Sequence, residues 1–309
     1  MRIARWIAVF SLSAFSLNSL SVVASVPGWT LVDNKHWQKD STAEETPEQT
    51  DAREGTRGAC PVGMVEVKGE MRVGSKVAWQ EFQQSPLSIE EREARRCSSW
   101  ISHGGWATKQ RPGYPDRCIQ FDEDKWRDEE RSLPTKPMSF CMDRFEYPNV
   151  KGLNPMIMVT WPESKAICES EGKRLCTEEE WNFACEGPEA LPYPYGFERD
   201  PKTCNIDKEW IPFHGDRMLP RNLDRSGAEM ARLWKGLPSG SMPGCKSVFG
   251  VYDLTGNVDE WTQSSVPGGR KTILKGGYWG PVRTRCRPST RSHDEKHAFY
   301  QQGFRCCAN

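Results

Sequence analysis

The sequence predicts an α+β fold of irregular, loop-rich build, with two main helices and short twisted strands. Three observations lead there. Thirteen Trp, 26 Gly and 22 Pro describe a turn-dense chain rather than a helical bundle. From Phe249 to Cys307, glycines fall at turns and aromatics flank them, as in Phe249-Gly-Val-Tyr-Asp-Leu-Thr-Gly-Asn-Val-Asp-Glu-Trp261, Leu274-Lys-Gly-Gly-Tyr-Trp279 and Gly303-Phe-Arg-Cys-Cys307. Helical patterning concentrates in the stretch from Trp161 to Cys185.

The N-terminus reads as a processing signal. Arg2 and Arg5 precede an apolar run from Trp6 to about Phe15, and Val22-Val-Ala24 offers small residues for cleavage. Residues 1–24 are therefore expected to be a secretory signal peptide. The run is short and broken by Ser and Asn, whereas a membrane span needs roughly 20 apolar residues. No later stretch could span a bilayer. Residues 25–58 are rich in Thr, Glu, Gln and Asp and poor in aliphatics. They bury too little apolar surface to order themselves, so a disordered tether is expected before a single domain over 59–309.

Within the domain, Met64–Gly74 alternates partly and predicts two short strands around a Gly turn. Residues 75–138 form a charged stretch. Ser88 and Glu91 make a capping box for a short exposed helix over Ser88–Arg96. Cys97 and Cys118 bracket a Gly/Pro-rich loop, and Asp122–Arg131 is charge-dense around Trp126. In Ser139–Asn149, Phe140, Met142 and Arg144 share one face at period two. Met156–Thr160 predicts a short strand. Pro162 then opens a helix at its first turn, where the missing N–H is harmless, and Gly172 ends it. Thr177 and Glu180 form a second capping box, which launches a helix carrying Trp181, Ala184 and Cys185 on one face. Residues 207–240 are Gly-, Pro- and charge-rich and weakly patterned.

Bulk numbers narrow the function. Forty-two basic and forty-two acidic residues cancel, and no basic block stands out, so neither nucleic acid nor an anionic membrane is expected as a partner. Twelve Cys, an even number behind an export signal, point to a disulfide framework. No C-x2-C pair exists, which removes the usual spacing of a zinc site. Ser/His/Asp hydrolysis and phosphate-cradling loops lack any anchoring motif.

The chain is identified as resembling the formylglycine-generating enzyme family, also called the sulfatase-modifying factor domain. Gly250, Tyr252, Asp253, Gly256, Asn257, Glu260, Trp261, Gly276, Gly277, Arg291, Gly303, Phe304 and Arg305 match its C-terminal half. Trp161–Gly187 matches its two-helix block, with Cys176 where the family often has Pro. Tyr193-Pro-Tyr-Gly196 and Cys204-Asn-Ile206 are further matches, and the resemblance runs from about Met64 to Asn309. It implies a fold similar to that of C-type lectins, with 75–138 as an insertion.

The resemblance also implies chemistry. The family's oxidases hold copper between two cysteines spaced C-x4-C after the paired glycines, because soft thiolates select Cu(I). Here only Cys286 lies in that region. Arg283 and a position near Tyr278 stand where the pair is expected. The expected function is therefore an exported, disulfide-stabilised, non-catalytic binding or scaffold module, periplasmic or extracellular. Its partner would be a protein or carbohydrate, held in a groove lined by Trp279, Arg283, Arg285 and Arg291. Such a lining suits an acidic or carbohydrate ligand. One alternative is a copper-dependent oxidase acting on a protein cysteine, rebuilt around Cys286 and another thiol. A second is a non-haem iron oxygenase using His293 and His297, the most closely spaced of the five His.

Disulfides carried over from the family are Cys168–Cys306 and Cys185–Cys286. Cys97–Cys118 and Cys204–Cys245 are suggested only by proximity. Cys306 and Cys307 are adjacent and cannot bond each other without strain, so Cys307 pairs elsewhere or stays free. The resemblance places one calcium at Asn257, the Val258 carbonyl and Glu260, and another at Asn205 and the Ile206 carbonyl. The alternative at the first is that Asn257 caps its own turn and Glu260 pairs with an Arg.

Overall fold

A computed structural model describes residues 29–32, 36–39, 59–73, 95–101, 117–218, 221, 223–264 and 271–309. The expected signal peptide and the helix start at Ser88 lie outside these residues. In chain order the first elements are β1 (Trp29–Val32), β2 (His36–Lys39), β3 (Met64–Arg72), β4 (Cys97–Ile101), β5 (Arg117–Phe121), α1 (Glu123–Arg131) and β6 (Thr135–Asp143). Then come α2 (Trp161–Ser170), β7 (Arg174–Leu175), α3 (Glu178–Glu186), α4 (Gly215–Met218) and α5 (Leu223–Leu233). The chain closes with β8 (Asp259–Thr262), β9 (Ile273–Lys275), β10 (Ser289–Thr290), β11 (Gln302–Phe304) and β12 (Cys306–Ala308). This is the α+β, loop-rich architecture expected. Among the described residues no helix is long and apolar enough to cross a membrane.

Two four-stranded sheets carry the domain. One has the order β3-β6-β12-β7 and the other β10-β9-β8-β11, in which β11 runs parallel to β8. The register of β3 on β6 runs from Met64 opposite Asp143 to Arg72 opposite Thr135. It puts Val65 and Val67 on the face that meets Phe140, Met142 and α3. The run Met64–Gly74 is thus one strand through Gly69, not two around a turn, because β6 pairs with it along its whole length. The tether expectation also needs amending at its start, since β1 and β2 pair antiparallel there. Trp29-Thr-Leu-Val32 is apolar and half β-branched, a strand composition inside a polar segment.

The two main helices stand where capping predicts. Thr160 and Glu163 close a reciprocal box at the start of α2, with Pro162 in the first turn. Thr177 and Glu180 do the same for α3. The second buries Trp181, Ala184 and Cys185, its i, i+3 and i+4 face, against β3 and β6.

The described residues of the insertion are docked on the domain. β5 bonds residues 197–199 through Phe121 N to Phe197 O at 3.0 Å and Arg199 N to Ile119 O at 2.6 Å. α1 seats Trp126 between Phe121 and Phe197, with its indole N–H on Ala190 O at 2.8 Å. An ion-pair chain continues inward. Arg96 binds Glu130 at 2.7 Å, Arg287 binds Glu130 at 3.1 Å, and Arg287 binds Glu186 at 2.6 Å. Burial pushes the Glu186 carboxyl up, and Arg287 opposes that shift. Removing one partner of a buried pair strands the other charge. Arg287→Ala, measured by urea unfolding, is expected to lose about 3–5 kcal/mol. A loss within experimental error would mean that Glu130 and Glu186 do not depend on it.

Candidate functional site

The turn from Asp253 to Glu260 is built around backbone that tolerates little else. Asp253, Gly256 and Asn257 all have left-handed φ, at 58°, 85° and 55°. A Cβ on Gly256 would sit 2.3 Å from the Asn205 carbonyl oxygen, so only glycine fits. Gly276 is similarly confined, its Cβ position lying 2.8 Å from Leu254 O. The turn is thereby pressed against residues 204–206.

Its polar side chains face inward. The Asn257 amide donates to Glu146 Oε2 at 2.7 Å and Leu237 O at 3.1 Å. Its oxygen accepts from Asn205 Nδ2 at 3.0 Å and Leu237 N at 2.8 Å. Glu146 also accepts from Ser239 Oγ at 2.8 Å and Val258 N at 3.2 Å. Glu260 is a partner of Arg305, with bonds of 2.7 and 2.6 Å, and it takes the Trp181 indole N–H at 2.8 Å. Arg305 further donates to Tyr252 O, Asp143 O and Arg144 O. Arg305 bonds Glu260 directly and acts on the buried carboxylates Glu146 and Asp253 through its charge alone. Burial, then the charges of Asp253 and Glu260, holds Glu146 well above the usual carboxylate range. Burial also pushes Asp253 up to about 7, against the Gly240 N–H and Arg305.

These contacts test the calcium expectation residue by residue. Both Glu260 oxygens are committed to Arg305 and Trp181, and Asn257 Oδ1 already holds two donors. The Asn257, Val258 and Glu260 set is therefore a poor cage for a hard cation. Asn205 differs. Its Nδ2 is spent on Lys235 O and Asn257 Oδ1, while its Oδ1 is buried without a hydrogen-bond partner. An orphaned acceptor next to the Ile206 carbonyl fits an oxygen-seeking ion.

The expected groove is more enclosed than the sequence suggests. Trp279 is buried, with Trp234 edge-on at 4.8 Å and Tyr278 and Tyr300 beside it. Lys208 N bonds Trp279 O at 2.8 Å, so the segment after Asp207 lies over it. Arg283 binds Asp259 at 2.7 Å and Thr290 Oγ1 at 2.5 Å, and Arg291 binds Glu178 at 2.5 Å. Arg285 is buried. The arginines are thus engaged by the protein's own groups, and Trp279 does not reach an open surface beside them. The cover came from residues 207–240, read as weakly patterned. Met230, Leu233 and Trp234, at i, i+3 and i+4, were the available signal for α5 and its apolar face.

Each sulfur is accounted for. Cys60–Cys141, Cys97–Cys118, Cys168–Cys306, Cys176–Cys307, Cys185–Cys286 and Cys204–Cys245 are bonded, and no cysteine is free. Cys307, left open from the sequence, pairs with Cys176, the residue standing where the family often has Pro. The His293 and His297 rings stack at 3.9 Å, and His297 Nδ1 meets Gln302 Oε1 at 2.9 Å. Among the described residues, no three His, Cys, Asp or Glu side chains gather to hold a metal.

A second buried cation lies at the same sheet. Lys275 donates to Arg287 O at 2.6 Å, with Glu178 at 3.9 Å and the Trp181 ring at 5.4 Å. Burial, reinforced by Arg283 and Arg291, brings Lys275 down to about 7. The unfolded chain then holds more protons than the folded one between that value and the ordinary lysine range. Stability contributed through this residue should rise from pH 7 towards pH 10. Lys275→Met should flatten that part of a pH–stability curve followed by denaturant unfolding. An unchanged slope would show that Lys275 is not the responsible group.

Comparison with known proteins follows the same lines. The model of the sulfatase-modifying factor enzyme 1-like domain matches residues 69–309. The chain is 30% identical over 203 residues to the inactive C-alpha-formylglycine-generating enzyme 2 of Bos taurus, covering 59% of this chain and 58% of that one. It is 26% identical over 176 residues to the formylglycine-generating enzyme of Bos taurus, covering 50% and 44%. The chain thus spans about half the length of these relatives. Among solved structures, CarF aligns over 80% of this chain and 98% of its own, with 14% identity and a TM-score of 0.44.

Proposed function

The chain belongs to the sulfatase-modifying factor enzyme 1-like domain family, and from that premise we propose that it is an exported, disulfide-stabilised, non-catalytic binding or scaffold module. The observation that carries this reading is the state of the sulfurs. Twelve cysteines make six disulfides, so no thiolate remains to take Cu(I). Cys286, the only sulfur near the expected pair, is spent on Cys185. Arg283, at one of those positions, is a hard cation itself and answers Asp259. The residues present do not fit a copper centre.

The same bonds support export, because such a density of disulfides is typical of proteins kept in an oxidising compartment. The partner on this reading is a protein or carbohydrate, met at the surface around the Arg283 loop and the aromatic cover of Trp279. Calcium, if held, belongs at Asn205 and the Ile206 carbonyl, where an acceptor is open. It would act there as a structural brace between residues 204–206 and the Gly256 turn.

Two measurements test the proposal. Thiol titration of the mature protein, unfolded without reductant, should find no reactive thiol. The same protein, incubated with Cu(I) and a cysteine-bearing peptide, should leave the peptide unchanged by mass. Two reactive thiols including Cys286, together with peptide aldehyde, would overturn it. Calcium should raise the melting temperature of the wild type and not that of Asn205→Ala. Equal shifts in both would remove calcium from that position.

A further inference from the structure

In the sheet ordered β3-β6-β12-β7, β3 is an outer strand nine residues long, and among the described residues only β6 pairs with it. Its peptide groups divide between two sides. Val73 N bonds Pro134 O at 2.9 Å and Gly63 O accepts from Arg144 N at 3.2 Å, so the odd-numbered residues turn their N–H and C=O groups to β6. By the same alternation Glu66, Lys68, Glu70 and Arg72 turn theirs to the outer edge.

The side chains of these same residues are charged and stand on the face away from the core. Glu66, Lys68 and Glu70 are exposed and Arg72 is half-buried, while Val65, Val67 and Met71 are buried on the other face. Across β6 they meet Cys141, Ser139, Pro137 and Thr135, so no opposite charge answers them there. Among the described residues none of the four makes an ion pair, and Arg72 reaches the Arg131 carbonyl at 3.5 Å. Charges on an edge ordinarily keep further strands away, and a set of one sign would do so here. The order is instead Glu-x-Lys-x-Glu-x-Arg, negative and positive by turns.

We propose that β3 is a dimerisation edge, on which a second copy of this chain adds its own β3 antiparallel about a two-fold axis through Gly69. In that register Glu66 faces the partner's Arg72 and Lys68 faces the partner's Glu70, and symmetry repeats both pairs. Every hydrogen-bonded position from Glu66 to Arg72 then holds opposite charges directly across from each other, which stabilises paired strands. An axis at Lys68 would set Lys68 against its own copy and Glu66 against the partner's Glu70. An axis at Glu70 would set Glu70 against its own copy and Lys68 against the partner's Arg72. Like charges directly opposite are destabilising, so the charges select the register as well as favour the pairing. On the core face the same register places Val67 across from the partner's Met71 and Gly69 across from its own copy, with no polar side chain among them. Such an isologous interface closes at two subunits and joins two four-stranded sheets into one. The inference goes beyond the binding-module reading and does not rest on it, since an active enzyme could pair by the same edge.

The oxidised, mature protein is followed by sedimentation equilibrium over increasing concentration, at low ionic strength so that surface charges are not screened. A monomer–dimer equilibrium is expected. Lys68→Glu and Glu70→Lys each set like charges against each other twice, and each alone should weaken dimerisation at least about tenfold. Mixed in equal amounts, the two variants should recover a dimer of near wild-type strength, because each supplies the charge that the other lacks. A protein that stays monomeric at every concentration would overturn the proposal. So would a dimer that neither variant weakens, which would place the interface elsewhere. A mixture no more dimeric than its components would also overturn it, by reducing the effect of the variants to net charge or lost folding.

Discussion

The bond between Glu260 and Arg305 is the constraint on which the rest of this structure depends. Both side chains are buried to 1% exposure. Removing such ions from water costs several kcal/mol each, and only complete hydrogen bonding offsets it. Every contact made here is also a positional demand. Arg305 must reach the carbonyls at the end of β6 and of Tyr252, while Glu260 must reach the indole of Trp181 on α3. The C-terminal strands, the Gly256 turn, the second main helix and the first sheet are thus set against one another by one fork. The Cys168–Cys306 and Cys176–Cys307 bonds lie directly beside it. They hold the following two residues to α2 and to the approach to α3, so Arg305 has little freedom to leave.

What could be read from the residues alone divides along a physical line. Local signals were legible: Thr177 and Glu180 at three-residue spacing, Pro162 in a first turn, and Gly256 and Gly276 where backbones approach. Each depends on a few neighbouring residues. Pairings across the chain were not. Glu260 suits a metal cage and an ion pair equally well in sequence. Only the arrival of Arg305, 45 residues later, decides between them. Arg199, Asp207 and Arg117 were passed over for the same reason, since no periodicity links the insertion to residues 199–207. The weak patterning of 207–240 concealed α5, because among the described side chains its apolar face rests on Met230, Leu233 and neighbouring Trp234.

The segment around Arg283 shows how charges are balanced in a buried place. Arg283 brings a permanent positive charge there. Asp259 answers it at 2.7 Å. Asp259 is pushed up by burial, and Arg283 and Lys275 pull the other way. Lys275, in turn, is pushed down partly by Arg283 and Arg291. The set reads as an alternation of carboxylates and cations along β8, β9 and the loop after Gly277, in which no group is independent.

The insertion belongs to that same electrostatic system. Glu130, on α1, accepts from Arg96 within the insertion and from Arg287 of the domain. Arg287 then reaches Glu186 at the end of α3, and its carbonyl takes the ammonium of Lys275. Arg96, Glu130 and Arg287 thus run in contact inward from the insertion, and the Arg287 carbonyl completes the path to the buried lysine. On the other side, Arg117 of β5 meets Asp207 and, through Arg199, Val282 of that loop. The 279–285 loop is therefore contacted at Val282 by Arg199, which shares Asp207 with Arg117, and is flanked by Lys275 and Arg287.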